Sequence, residues 1–345
     1  MPKAFICGCE GLALNADERA FLRRHDPWGL ILFKRNVADR DQLRELTRSF
    51  RDCVGRADAP VLIDQEGGRV QRLGPPHWPK YPPAAAYARL YERESANGLA
   101  AAALSGRLIA ADLHAVGIDV DCAPVADIPV AEADPIIGDR AFGMEPKAVV
   151  ALAGAFARGL IEGGVLPVVK HMPGHGRATA DSHKKLPVVT ADRATLEATD
   201  FAAFRGLAGL PLAMSAHVVF TAIDPVAPAT ASAAIVRDVI RGSIGYQGLL
   251  MSDDVSMGAL SGSLGERTRA VLAAGCCDVV LHCDGDMAEM EAVAAAAPVL
   301  EGEAAGRAAA ALAKRQRPAP IDLAQKRAEF GALLKSVWEP AQGWA

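Results

Sequence analysis

No segment of the 345 residues approaches the ~20 consecutive apolar residues of a membrane-spanning helix. The N-terminus, MPKAFICGCEG, has one lysine and an apolar run too short for a signal peptide. Together these predict a soluble, cytoplasmic protein with no membrane partner. Positive charge is not in excess either. The formal net charge is -4, whereas a nucleic-acid binder would show a basic face. No long run of one charge sign occurs, and neither an internal repeat nor a low-complexity linker is found. The seven cysteines are Cys7, Cys9, Cys53, Cys122, Cys276, Cys277 and Cys283. Their odd number in a long chain argues against a disulfide framework. Cys7-Gly8-Cys9 and Cys276-Cys277 lack the two-residue gap of a zinc knuckle. Reduced thiols packed in a core are the better reading.

What is abundant is apolar sequence, at 51% of the chain, ample for a large buried core. It recurs as eight short runs: AFIC (4–7), GLILF (29–33), VLI (61–63), IDVDCA (118–123), LPVV (166–169), LAMSA (212–216), GLLM (248–251) and DVVLH (278–282). Several are near-continuous, as in parallel strands buried on both faces. Amphipathic helical patterns lie between them at 39–54, 90–116, 146–163, 192–208, 231–242, 265–275 and 286–297. The alternation predicts a parallel sheet, and eight strands predict a single-domain (β/α)8 TIM barrel over residues 1–317. Residues 318–345 are expected to pack outside it as a tail or helix. The gap between Asp64 and Ile118 is long enough for extra helix or an insertion.

Polar residues follow the runs closely: Lys34-Arg35-Asn36, Asp64, Asp127, Lys170-His171, His217 and Asp253-Asp254. Any one of them has a bland explanation, because strand ends meet water. In a barrel, however, all converge on one mouth, where such folds place their active sites.

Two segments stand out. LPVVKHMPGHGRATADSHKKLP (166–187) begins as a buried strand, and Pro173, Gly174 and Gly176 then break regular structure. His171 and His175 have the spacing of a helical metal pair, but Pro173 and Gly174 between them oppose a helix. A zinc site from His171, His175, Asp181 and His183 is the minor reading. The major one is a mobile loop in which Asp181 and His183, one residue apart, face the same way in an extended segment. A carboxylate beside an imidazole raises its pKa and fixes its orientation, so that it gives a proton and later takes one back. The second segment, GYQGLLMSDDVSMG (245–258), reads as a strand ending in two carboxylates. Successive strand residues face opposite sides, so Asp253 and Asp254 should differ in role. One points into the mouth as nucleophile, metal ligand or substrate clamp, and the other caps a turn.

KHMPGHG followed by DSH, together with GLLMSDD, resembles glycoside hydrolase family 3, and within it the bacterial β-N-acetylglucosaminidases of peptidoglycan recycling. GLILFKRN, LIDQEGGRVQRL, GIDVDCAPVADI and IIGDRAFG support the likeness, which runs from about residue 5 to about 320. The resemblance implies Asp253 as nucleophile, His183 as acid/base and Asp181 as its supporting carboxylate. It implies Asp64, Arg72, Arg140, Lys170 and His171 as residues that hold a terminal N-acetylglucosamine. A retaining exo-β-N-acetylglucosaminidase acting on N-acetylglucosaminyl-1,6-anhydro-N-acetylmuramyl peptides follows, with no cofactor, no metal, and a monomeric or weakly oligomeric state. A phosphorylase using the same histidine, a metal-dependent hydrolase, and a non-catalytic sugar-binding barrel are the rivals. Met172, Ala141 and Val255 depart from the family's usual residues, at positions with no implied catalytic role.

Overall fold

The structure is a computed structural model and describes residues 1–338. Each of the eight apolar runs forms a strand: β1 (Lys3–Cys7), β2 (Pro27–Leu32), β3 (Val61–Ile63), β4 (Val120–Asp121), β5 (Leu166–Met172), β6 (Leu212–Ser215), β7 (Leu249–Asp254) and β8 (Val279–His282). They close into one barrel in chain order. Neighbours pair in parallel, and β1 pairs with β8 through Phe5↔Val280 and Cys7↔His282. This is a (β/α)8 barrel.

The near-continuous apolar character of the strands has a simple cause, because both faces are buried. Leu62, Leu249, Met251, Val279 and Leu281 belong to one core cluster with Ile6, Val168 and Met214. Their immediate neighbours Val61, Ile63, Leu250 and Val280 belong to a second cluster, shared with helical residues such as Leu46, Phe156 and Val239. The period-2 alternation of a strand therefore separates the barrel interior from the helix-packing layer.

The helices are set by their ends. Residues Arg40–Val54 start on Asp39, whose side chain accepts from the N–H groups of Asp41 and Gln42, and stop at Gly55 with φ 64. Leu264–Leu272 begins with a Ser263–Glu266 capping box. Three expected helices differ from their sequence patterns. The 90–116 pattern is two helices, Ala84–Arg93 and Ser95–His114, which meet at Glu94 with φ -145 and ψ 87. The 192–208 pattern breaks at Thr199, between Arg193–Ala198 and Asp200–Gly206. Ile235–Ser243 is wound as a π-helix, with Ile244 N–H donating to Val239.

The long segment after β3 holds a small hairpin, in which Gln65–Gly67 runs antiparallel to Val70–Gln71. Gly67 and Gly68 turn it at φ 92 and 58, a region that favours glycine. A Cβ on Gly67 would also lie 2.4 Å from the Pro82 carbonyl oxygen. Beyond the barrel, helix Leu323–Leu334 sets Phe330 against Tyr81 and Tyr87 at centroid distances of 6.3 and 6.4 Å. Its Arg327 donates to the buried Asp112 at 3.0 Å. Residues 339–345 of the expected outer segment lie outside the described residues. Among the described residues, no helix is long and apolar enough to cross a membrane.

Candidate active site

At the C-terminal mouth of the barrel is a cavity of about 360 Å³, within the range of small-ligand sites. Asp64, Arg72, Arg140, Lys170, His171, His183 and Asp253 all line it. Asp181 stands behind His183 and does not line it.

Asp64 follows β3 directly. Two residues on, Glu66 lies on the same side of the extended chain. Gln65 between them is fully buried and holds the hairpin. Its Oε1 accepts from the N–H groups of Arg72 and Leu73, at 3.0 and 2.9 Å, and its Nε2 donates to the Leu73 carbonyl at 2.9 Å. Arg72 thereby reaches Asp64 Oδ2 at 2.9 Å, and its guanidinium stacks on the Phe33 ring at 5.2 Å. Lys170, near the end of β5, donates to Asp64 Oδ1 at 2.8 Å and lies 2.7 Å from Glu66 Oε1. Arg140 comes from the one-turn helix Gly138–Arg140 and clasps Glu66 with Nε at 2.9 Å and Nη2 at 2.8 Å.

Three cations thus share two carboxylates. Burial pushes the Asp64 carboxyl up, but Lys170 and Arg72 outweigh it and hold the group well below the usual carboxylate range. Glu66 is likewise raised by burial and drawn down by Arg140 and Lys170, to about 2. The same contacts overcome the burial that would lower Lys170 and Arg140, and raise both. A further carboxyl, Asp121, lies beneath. Its Oδ1 accepts the Gln65 N–H at 2.9 Å. Burial lifts it to about 8, so it is protonated at neutral pH.

His171 is held from below. Its Nδ1 is 2.7 Å from Asp127 Oδ2, which fixes the ring and presents Nε2 as the other polar atom. Asp127 also accepts the His175 N–H at 2.7 Å. His175 lines the cavity as a buried ring. Burial and the neighbouring His171 lower it to about 4, which leaves it neutral.

The loop after β5 leaves the barrel through Gly174, at φ 145. It crosses so close to residue 128 that a Cβ on Gly176 would lie 2.1 Å from the Ile128 carbonyl oxygen. Asp181 and His183 do pair, but in a turn and not in an extended segment. Asp181 Oδ1 accepts both the backbone N–H of His183 at 3.0 Å and its Nδ1 at 2.7 Å. This local carboxylate turn outcompetes extension because it satisfies two donors at once. Nε2 of His183 is the ring nitrogen that Asp181 does not engage.

Asp253 and Asp254 end β7. Asp253 lines the cavity and accepts the Asp254 N–H at 2.8 Å. Asp254 is tied to the chain, accepting Ser256 Oγ at 2.7 Å and the N–H groups of Ser256 and Cys283 at 3.0 and 3.3 Å. Burial raises its carboxyl, and His282 with Ser256 brings it down to about 2. The capping role expected of one aspartate therefore falls to Asp254.

Sequence reasoning left Glu66 out of the site, placed Asp127 at the mouth without a role, and gave His175 only the minor zinc reading. The i, i+2 relation to Asp64 was the signal for Glu66, and the strand-end position was the signal for Asp127. The departing residues Met172, Ala141 and Val255 are all buried, so they act through packing. Among the described residues, no group of three or more His, Cys, Asp and Glu side chains is arranged to hold a metal ion.

Residues 4–314 match the model of the glycosyl hydrolase family 3 N-terminal domain. A β-hexosaminidase of Alkalilimnicola ehrlichii is 42% identical over 283 residues, covering 81% of this chain and 80% of that protein. A β-hexosaminidase of Aromatoleum aromaticum is 36% identical over 318 residues, covering 91% and 88%. Among solved structures, NagZ from Neisseria gonorrhoeae in complex with N-trifluoroacetyl-D-glucosamine superposes with a TM-score of 0.84 at 30% identity, over 97% of both chains.

Proposed function

The chain belongs to glycosyl hydrolase family 3 through its N-terminal-domain sequence, and from that membership we propose a retaining exo-β-N-acetylglucosaminidase with residues 1–317 as its catalytic domain. One observation carries the reading. A strand-end carboxylate, Asp253, and a carboxylate-backed imidazole, His183, line the same cavity as a clamp of fixed charges.

In this reading the clamp holds the terminal sugar. Asp64 accepts hydrogen bonds from sugar hydroxyls, and Lys170, Arg72, Arg140 and His171 donate to its oxygens. Asp253 attacks the anomeric carbon as His183, protonated at Nε2, passes its proton to the departing glycosidic oxygen. The bond to the aglycone breaks and a glycosyl ester to Asp253 forms. His183, now neutral, takes a proton from water, and the hydroxide attacks the same carbon. Free sugar, the Asp253 carboxylate and protonated His183 are regenerated. Asp181 holds the ring in the one orientation that serves both steps.

The β-hexosaminidase relatives support the N-acetyl sugar. The resemblance of the KHMPGHG…DSH and GLLMSDD segments to enzymes of cell-wall turnover supports N-acetylglucosaminyl-1,6-anhydro-N-acetylmuramyl peptides as substrate, in a cytoplasmic recycling role. The test is an assay of aryl N-acetyl-β-glucosaminide against aryl β-glucoside, with phosphate present and absent. Free N-acetylglucosamine at a phosphate-independent rate is expected. A sugar 1-phosphate formed only with phosphate would make the enzyme a phosphorylase, and binding without turnover would make it a sugar-binding protein. Asp253→Asn should abolish nearly all turnover, and retained wild-type activity would remove the nucleophile assignment.

A further inference from the structure

The Asp181–His183 hydrogen bond orients the imidazole relative to its own turn. It does not fix the turn relative to the barrel. The His183 side chain is 63% exposed, and Lys184 and Lys185 after it are exposed too. Such a turn has little rigidity of its own. Two contacts tie it down, one to the base of its own loop and one to the segment after β7.

The first runs through Ser182, the residue between the pair. Ser182 is buried, and its Oγ lies 3.0 Å from Nε2 of His175. The His175 ring is buried as well, and its Nδ1 has no protein partner. A buried imidazole with a single ring bond is a costly way to fill space compared with an apolar side chain. The bond to Ser182 is what the ring supplies in return. The His175 backbone N–H in turn donates to Asp127, the carboxylate that grips His171. The second contact comes from the segment after β7. The Gly258 N–H donates to the His183 carbonyl at 3.2 Å. The approach is close: a Cβ on Gly258 would lie 2.9 Å from the Lys184 carbonyl oxygen and 3.0 Å from that of His183.

We infer that His175, Ser182 and Gly258 form a latch that holds the acid/base turn over the sugar cavity and ties its position, through Asp127, to the sugar-contacting His171. The inference rests on the acid/base reading of His183. All three are positioning residues. The latch sets where Nε2 of His183 stands relative to the glycosidic oxygen, and a misplacement of about 1 Å can cost about 100-fold in rate. The Asp127 link gives the arrangement a direction. A sugar that engages His171 steadies Asp127, hence the His175 backbone, hence Ser182.

Two substitutions break the latch from opposite sides. Ser182→Ala deletes the hydroxyl, and Gly258→Ala wedges a methyl group against the two carbonyls at an exposed backbone position. His183→Ala is the reference. Each is assayed as kcat/KM over a series of aryl N-acetyl-β-glucosaminides running from 2,4-dinitrophenyl to phenyl, with thermal melts to establish folding. kcat/KM reports the glycosylation step, and only poor leaving groups need the proton there. Ser182→Ala and Gly258→Ala should lose about 10- to 100-fold on the phenyl glycoside and change little on the dinitrophenyl glycoside, with melting near wild type. A merely structural role would lower both ends of the series alike, so equal losses, or none, overturn the latch. If His183→Ala itself shows equal losses, the acid/base reading falls and the latch with it. If His183→Ala depends on the leaving group and the two latch variants do not, only the latch falls.

Discussion

Replacing Glu66 by Gln removes one negative charge from a cluster in which Lys170, Arg72 and Arg140 share Asp64 and Glu66. The side chains of Glu66 and Arg140 are 7% and 10% exposed, so solvent screening is slight. The carboxyl sits at about 2, below its ordinary 4.5, and that difference corresponds to about 3 kcal/mol of stability. Breaking one side of a buried ion pair costs about 3–5 kcal/mol in general. The lower end applies, because Lys170 keeps Asp64 and Arg140 keeps the Ile136 carbonyl at 3.2 Å. At about 2.1 cal/mol/K of unfolding entropy per residue, a chain of this length melts about 4 °C lower for that loss. The sign with pH follows from the depressed folded value. The stabilisation is present above about 4.5 and is lost as pH falls toward about 2, and glutamine has none to lose. The gap between wild type and Glu66→Gln should therefore be widest near neutral pH and narrow in acid. KM for the aryl glycoside should rise about tenfold, since Lys170 and Arg140, which line the cavity, each lose one of their partners. The assay is thermal melting across pH, with steady-state kinetics at neutral pH. Melting within about 1 °C of wild type at pH 7, or a gap that does not narrow in acid, would refute the reasoning.

Two further outcomes follow from buried groups near the same clamp. Asp121→Asn should be at least as stable as wild type at pH 8. The wild-type carboxyl is raised to about 8, so its stabilising share is full below the ordinary 3.8 and is lost as pH rises through about 8. The variant should flatten that decline in melts between pH 5 and pH 8, and an unchanged decline would count against a protonated Asp121. Cys283 lines the cavity, yet burial together with the Asp254, Asp64 and Asp253 carboxylates raises its thiol well above the usual range. Iodoacetamide at neutral pH should leave activity intact, because the thiolate is the reactive form. Rapid inactivation that N-acetylglucosamine prevents would contradict this.

The barrel was legible because its strands are buried on both faces, so each announced itself as an apolar run bounded by polar residues. The helix breaks at Glu94 and Thr199 were not. Amphipathic sequence continues across both, and the change is in backbone angles. Asp64, Lys170, His171 and Asp253 were legible as polar residues at or just past strand ends. The Asp127–His171 bond spans 44 residues and joins the ends of neighbouring strands, a relation that periodicity cannot carry. Arg140 meets Glu66 across 74 residues from a one-turn helix, and only the family resemblance pointed to it. The Asp181–His183 pairing was foreseen from its spacing, but the turn that makes it was not, since the carboxylate's choice of two local donors is a matter of conformation.

Burial, together with the fixed charges of the mouth, favours a protonated Asp121 carboxyl beneath them. Arg72, Lys170 and Arg140 oppose Asp64 and Glu66, and Asp253 and Asp254 add two more carboxylates along the same wall. Asp254 is stabilised as an anion chiefly by His282, Ser256 and the Cys283 N–H. Were Asp121 also ionised, it would compete for Lys170 with Asp64 and Glu66. Each of those carboxylates would then be less firmly held. Protonated, Asp121 leaves Lys170 to them, and Asp64 keeps both oxygens oriented toward cations at the cavity wall. In the proposed function, sugar hydroxyls meet acceptors whose positions are set before binding, which lowers the ordering cost of recognition. His183, the proposed acid/base, is treated differently. It stands on an exposed turn held by two hydrogen bonds, which can open for substrate without unfolding the clamp. Damage to the clamp should therefore appear in stability and KM together, whereas damage to the turn should appear in the rate with substrates that need a proton.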